Sequence, residues 1–168
     1  IQKKTNQVQF ISKEEREVQF TLTTDYAIRA VLSLEVKGKV KHAAEIAEEM
    51  KIPQSYLNKV LKKLRVNGLL GSVVGSNGGH YLLKGLDEIT LRDVASIMEP
   101  TLKCNRCLEV DKYCSRQAAD YCKVRQYFLA LQDEVENRWF SVTLMSILQR
   151  EGEGVEKEPC KIETGIKK

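Results

Sequence analysis

Between Met50 and Leu86 the chain carries no aspartate or glutamate, and a proline, an Asn-Gly pair and a glycine cluster cut this stretch into short elements. Leu57, Val60, Leu61 and Leu64, with Tyr56, recur at helical spacing and predict a buried face on a helix from Gln54 to Val66. Asn67-Gly68 is its stop. Upstream, Ala44, Ile46, Ala47 and Met50 predict a shorter helix over Ala43–Met50. Lys51-Ile52-Pro53 breaks it, because proline cannot donate to the helical ladder and biases the residue before it away from helical angles. Two short helices joined by a tight turn, the second basic and amphipathic, form the helix-turn-helix pattern. Strands follow over Leu70–Val74 and His80–Leu83, around the glycine-rich tip Gly75-Ser76-Asn77-Gly78-Gly79. The predicted fold is mainly α with a small β-hairpin: a winged helix-turn-helix.

Charge points the same way. Lys51, Lys59, Lys62, Lys63, Arg65 and Lys84 put six positive charges in the acid-free window, against a net of +4 for all 168 residues. A solvated lysine face on an ordinary helix would show the same run. Combined with the helix–turn–helix–hairpin order, it reads as the footprint of duplex DNA. Gln54, Ser55 and Asn58, beside Tyr56, are expected at base edges, and Lys59, Lys62 and Lys63 at phosphates. Asn77 and Gly78 at the wing tip are expected near the minor groove. His80 is expected to pack at the base of the hairpin, and His42 to lie at the surface or cap a helix.

Before this unit, Thr23 or Thr24 is expected to cap a helix with Asp25 in its first turn and Ala27, Ile28, Val31, Leu32 and Leu34 on one face. After it, Thr90 caps a helix carrying Leu91, Val94, Ala95 and Met98, ending at Pro100. A longer helix, Lys123 to Arg138, lines up Val124, Phe128, Leu131, Val135 and Trp139, a seam expected to join two copies into a homodimer. Thr143–Leu148 is expected to form a last turn docking on the body. The division is an arm or leader over 1–19, the winged-helix domain over 20–100, a cysteine loop over 101–122, the dimerisation helix and docking turn over 123–149, and a flexible tail over 150–168 with Cys160. No stretch approaches the length of a membrane span, and no charged-then-apolar leader opens the chain. The expectation is a cytoplasmic protein. No nucleophile elbow, P-loop or dinucleotide fingerprint is present, so an enzyme with a small-molecule substrate is not expected.

Four of the five cysteines fall within nineteen residues, Cys104 to Cys122, spaced C-x2-C-x6-C-x7-C. In a reducing compartment such clustering points to metal or redox chemistry rather than disulfides. Thiolate ligands suit iron–sulfur clusters and zinc alike, and the Cys104–Cys107 knuckle is zinc-like. A metal-free thiol switch is the third possibility.

The residues LTTDYAIRAVLSL (Leu22–Leu34), AAEIAEEMKIPQSYLNKVLKKLRVNGLL (Ala43–Leu70), SVVGSNGGHYLL (Ser72–Leu83) and TLRDVASIME (Thr90–Glu99), followed by the cysteine loop, resemble the IscR/NsrR/CymR-type winged-helix regulators of bacteria. The resemblance covers about Phe20 to Gln149. It implies a dimeric transcription regulator, usually a repressor, whose cysteine-bearing members hold an iron–sulfur cluster (2Fe–2S or 4Fe–4S) beside the dimer helix. Ser55 and Asn58 match positions that read bases in IscR-like relatives. Cys107, Cys114 and Cys122 match the three cysteines of the cluster-bearing members. The IscR type adds a histidine three residues after the last cysteine, where this chain has Arg125. The NsrR type uses an aspartate of the first helix, reaching across from the partner subunit, and Asp25 matches that place. The resemblance therefore implies a cluster on Cys107, Cys114, Cys122 and Asp25, with Cys104 as the alternative fourth ligand. Nitric oxide, redox state or iron–sulfur status is the implied signal. The CymR type implies the alternative of a metal-independent regulator controlled by a partner protein. In this family an arginine often precedes the wing's first glycine; here that residue is Val74, and minor-groove contact passes to Asn77 and His80.

Overall fold

The computed structural model describes residues 20–35 and 37–149; the expectations for 1–19, 150–168 and Cys160 lie outside them. The helices are α1 (Leu22–Ser33), α2 (Ala43–Met50), α3 (Gln54–Val66), α4 (Leu91–Met98), α5 (Lys123–Glu134) and α6 (Leu144–Leu148), and β1 (Leu70–Val73) and β2 (Gly79–Leu82) form the hairpin. Among the described residues no helix is long and apolar enough to cross a membrane.

The core forms where the apolar stripes of the first four helices meet. Ala27, Ala30 and Val31 of α1, Ile46 of α2, Leu57, Val60, Leu61 and Leu64 of α3, and Val94 and Met98 of α4 are buried together, with Leu70 and Leu82 of the hairpin closing one end. α1 is the central element, packing on α2, α3 and α4. Leu57 and Leu64 are wholly enclosed, and burying such a side chain contributes about 2 kcal/mol each. Tyr56, expected on this face, is 54% exposed instead. It lies at the stripe's edge, packed edge-on against Tyr26 with Lys59 over its ring.

The start of α1 also differs from expectation. Thr21, not Thr23 or Thr24, is the cap. The cause is tertiary: the Glu99 carboxylate, at the end of α4, accepts from the Thr21 backbone N–H (2.7 Å), the Thr21 hydroxyl (3.0 Å) and the buried Thr24 hydroxyl. An acid at a helix N-terminus satisfies orphan donors and complements the dipole. α4 is closed as expected by Thr90, in a reciprocal capping box with Asp93.

The hairpin pairs Leu70 with Leu82, Gly71 with Tyr81, Ser72 with His80 and Val73 with Gly79. Val74 and Leu83 fall outside the strands, which end one residue sooner than expected. Lys41, before α2, adds a third backbone partner: its N–H and C=O both bond His80, each at 2.9 Å. That approach requires glycine at position 79, where φ is +151° and a Cβ would strike the Lys41 carbonyl.

α5 ends as an α-helix at Glu134 and continues as a π turn over Val135–Trp139, not as an α-helix to Arg138. From there the chain returns to the body. The backbone of Arg92 and Leu91 donates to Phe140 and Val142 (3.1 and 2.9 Å), and Leu144 is buried.

Candidate functional site

With one side of α3 committed to the core, its opposite side must face outward. Gln54, Ser55, Tyr56, Asn58, Lys59, Lys62 and Lys63 are all exposed. Ser55, Asn58, Lys59 and Lys62 recur at three- and four-residue spacing along the middle of that face. Gln54 donates to the Asn58 side chain at 3.3 Å, which pre-orients two amide groups at the helix start. At the wing tip Asn77 is exposed, whereas Gly78 is buried. The Gly78 N–H closes the turn onto Gly75 (3.0 Å), and a Cβ there would meet the Val73 carbonyl, so its place is structural to the turn.

Between α3 and the wing lies a cleft of about 430 Å³, lined by Asn58, Lys62 and Arg65 on one side and by Ser72, His80 and the glycine turn on the other. Arg65 reaches Ser72 across it (3.5 Å). Arg65 and Ser72, which line this cleft, were not among the expected DNA contacts. The signal available in the sequence was Arg65's place in the acid-free window.

The cysteine loop leaves α4 and lies against α5. Its four thiols are half-buried and unpaired. Cys104 donates its backbone N–H to the Gln132 side chain (2.8 Å), and its thiol points to the Phe128 carbonyl (3.8 Å). Burial pushes the Cys104 thiol above its ordinary value, helped by the nearby Cys107. Cys107 follows in a 3-10 turn, Arg106–Leu108, whose carbonyl accepts from Arg125 at 3.0 Å. Arg125, at the position where the IscR type has a histidine, thus pins the loop by its guanidinium. Arg106 pairs with Asp111 and stacks over Tyr113. Cys114 differs in character: backbone donors from Ala118 and Arg116 hold its thiol below the usual range, favouring thiolate. Cys122 is the residue before α5.

This donor set has the chemistry of a thiolate-ligated group. Among the described residues, however, no three His, Cys, Asp or Glu side chains gather closely enough to hold a metal ion. Asp25 belongs to no such group; it is exposed and paired with Arg29 one turn on.

Gln132 was not anticipated. It is 3% exposed on α5, accepting from Cys104 and donating to the Leu102 carbonyl (3.2 Å) and to Glu136 (2.8 Å). Glu136 also takes Lys103 (2.8 Å) and Arg92 of α4 (3.1 Å). Lys103 foremost, then Gln132, hold the Glu136 carboxyl down at about 2. The loop, α5 and α4 are therefore joined at one polar node. Of the expected seam, Val124, Leu131 and Trp139 stand 40–60% exposed, joined by Tyr127 at 69%, whereas Phe128 and Val135 are half-buried.

A reading helix, a glycine-tipped hairpin and a basic cleft between them define a winged-helix DNA-binding protein. The model of the Rrf2 family, described as iron-dependent transcriptional regulators, matches residues 20–150, and the chain belongs to that family. It is 32% identical over 122 residues to the transcriptional regulator IscR of Pectobacterium atrosepticum, covering 71% of this chain and 72% of that one. It is 29% identical over 133 residues to a helix-turn-helix regulator of Aquifex aeolicus, covering 79% and 92%. Among solved structures, the fold is similar to CymR, the global cysteine regulator of B. subtilis (TM-score 0.63, 23% identity, covering 77% and 95%). It is also similar to T. potens IscR (TM-score 0.61, 20% identity, covering 83% and 93%). The family and its named relatives are transcriptional regulators rather than enzymes.

Proposed function

We propose that this Rrf2-family regulator works as a homodimeric repressor whose hold on operator DNA is set by an iron–sulfur cluster on its cysteine loop. The observation that carries the reading is the polar node at Gln132. It fastens the thiol-bearing loop to α5, the same helix whose apolar side stands uncovered, and through Glu136 to α4, which packs on α1 and α3. Cys107, Cys114 and Cys122 would hold the cluster, with Asp25 of the other subunit, or Cys104, as the fourth ligand. An oxygen ligand is exchanged more readily than a thiolate, which suits a sensor. Such a cluster supplies a centre that reacts with nitric oxide and oxygen and is lost when iron is scarce.

The protein's own part is mechanical. Any change that moves Cys104 or Cys107 pulls on Gln132 and Arg125, and hence on the rotation of α5. The exposed seam of Val124, Tyr127, Leu131 and Trp139 is where a second copy would bind. A shift of α5 there alters the spacing between two copies of α3. Half-sites one helical turn apart tolerate only one spacing, so the change biases DNA affinity.

A second reading, thiol oxidation without metal, is favoured by Cys114, whose backbone donors stabilise the reactive thiolate. The test is iron and acid-labile sulfide analysis, with an absorption spectrum, on protein isolated without oxygen. Iron and sulfide together, lost in Cys107→Ala, support the cluster. A colourless protein without either refutes it and leaves zinc, which is equally colourless, or the thiol switch, and metal analysis for zinc tells these two apart.

A further inference from the structure

The inner face of the hairpin changes character part-way along. Leu70 and Leu82, directly paired, close the core; two residues on, the next pair on the same face is Ser72 and His80. This polar pair looks across the cleft at Arg65 and Lys62 of α3. Arg65 already leans on Ser72. The His80 backbone is tied from behind by its two bonds to Lys41, which hold this end of the hairpin to the body. The His80 Nδ1 is buried without a hydrogen-bond partner, so the ring has only Nε2 with which to meet a ligand. Burial and, secondarily, the Arg65 charge push the imidazole below its ordinary value of 6.5, so free protein holds it neutral.

We propose that the root of the wing is a phosphate site in which Arg65, Lys62 and His80 grip one backbone phosphate of the duplex, His80 taking up a proton from solvent as it binds. A phosphate seated there offsets the repulsion from Arg65 and accepts a charge-assisted hydrogen bond from the ring. The proposal rests on the DNA-binding reading and adds to it a ligand whose charge depends on occupancy. The other charged or titratable groups at the cleft are Lys62 and Arg65 of α3 and His42 before α2; Lys41, packed behind, has its ammonium engaged by Glu49 and the Ser33 carbonyl.

The sign follows from linkage. His80's pKa is raised on binding, so affinity gains as pH falls through the DNA-bound value and levels off below the free one. The steepest gain is about tenfold per pH unit for each His80 that takes up a proton. The experiment is fluorescence anisotropy of a labelled duplex of about 30 base pairs, long enough for two half-sites. It is run at constant ionic strength from about pH 7.5 to about 5.5, since phosphate contacts are salt-dependent. The full chain is compared with His80→Gln, His80→Tyr and His42→Gln, each checked for its melting transition. The expected result is affinity rising on acidification in the unaltered chain and in His42→Gln, with a flattened slope in both His80 variants. The tyrosine variant keeps an aromatic ring in the hairpin, so flattening there cannot be put down to a lost wing. A flat profile in the unaltered chain, or a slope that survives in His80→Tyr, overturns the proposal while leaving DNA binding intact. No binding at any pH overturns the DNA-binding reading and this site with it.

Discussion

Replacing Gln132 by methionine tests the polar node with its packing preserved. The side chain keeps its length but loses three hydrogen bonds: to the Cys104 N–H (2.8 Å), the Leu102 carbonyl (3.2 Å) and Glu136 (2.8 Å). A hydrogen bond contributes about 1 kcal/mol net, and a buried donor left unsatisfied costs about 1–3 kcal/mol. Glu136 retains Lys103 and Arg92, so its share of the loss is small. The Leu102 carbonyl is half-buried and partly recovers a bond to water. The sum is about 2 kcal/mol, carried mostly by the Cys104 amide. In a domain of this size that lowers the melting temperature by about 4–8 °C. The sharper assay is hydrogen exchange, because the loop opens locally before the core does. The Cys104 amide should exchange about 30-fold faster in Gln132→Met, while amides of α1 and α3 change no more than global stability requires. Unchanged exchange at Cys104 with a melt within about 0.5 kcal/mol of the parent would show that Gln132 is not the fastening.

Glu136 sets an acid limb. Its carboxyl titrates at about 2 when folded, below its ordinary 4.5, so its contribution is full above about 4.5 and is lost as pH falls toward 2. Melting curves between those values should therefore fall less steeply in Glu136→Gln than in the parent chain. Gly79→Ala should separate wing from core, because a Cβ there meets the Lys41 backbone at a φ of +151°. Duplex affinity should drop at least about tenfold, or about 1.4 kcal/mol, with circular dichroism showing the helices intact.

Much of the DNA-reading half was legible because its punctuation is local. Pro53 and Asn67-Gly68 bound α3, and Thr90 with Asp93 closes α4, so each boundary follows from residues a few places away. The start of α1 was not legible, because its cap partner Glu99 comes from the far end of α4. The second strand begins and ends one residue sooner than expected, at a place where Lys41 pairs with His80, a contact between segments far apart in the chain. The π turn after Glu134 carries no proline or glycine to announce it. In the sequence Gln132 was one more polar residue beside an apolar seam, and its burial appears only once Leu102–Cys104 folds over it. The cysteines declared thiol chemistry by number and spacing. The convergence of a ligand set depends on the bound group as well as on the chain, so spacing alone left cluster, zinc and thiol switch open.

The central claim is that chemistry at the cysteine loop is felt at α3. The direct measurement is duplex affinity during titration of nitric oxide into protein isolated without oxygen, with visible absorbance followed in the same cuvette. Affinity should change about 5–150-fold, as a coupling of about 1–3 kcal/mol requires, in step with the bleaching, and Gln132→Met should weaken that link. Bleaching that runs to completion while affinity stays constant would contradict the account.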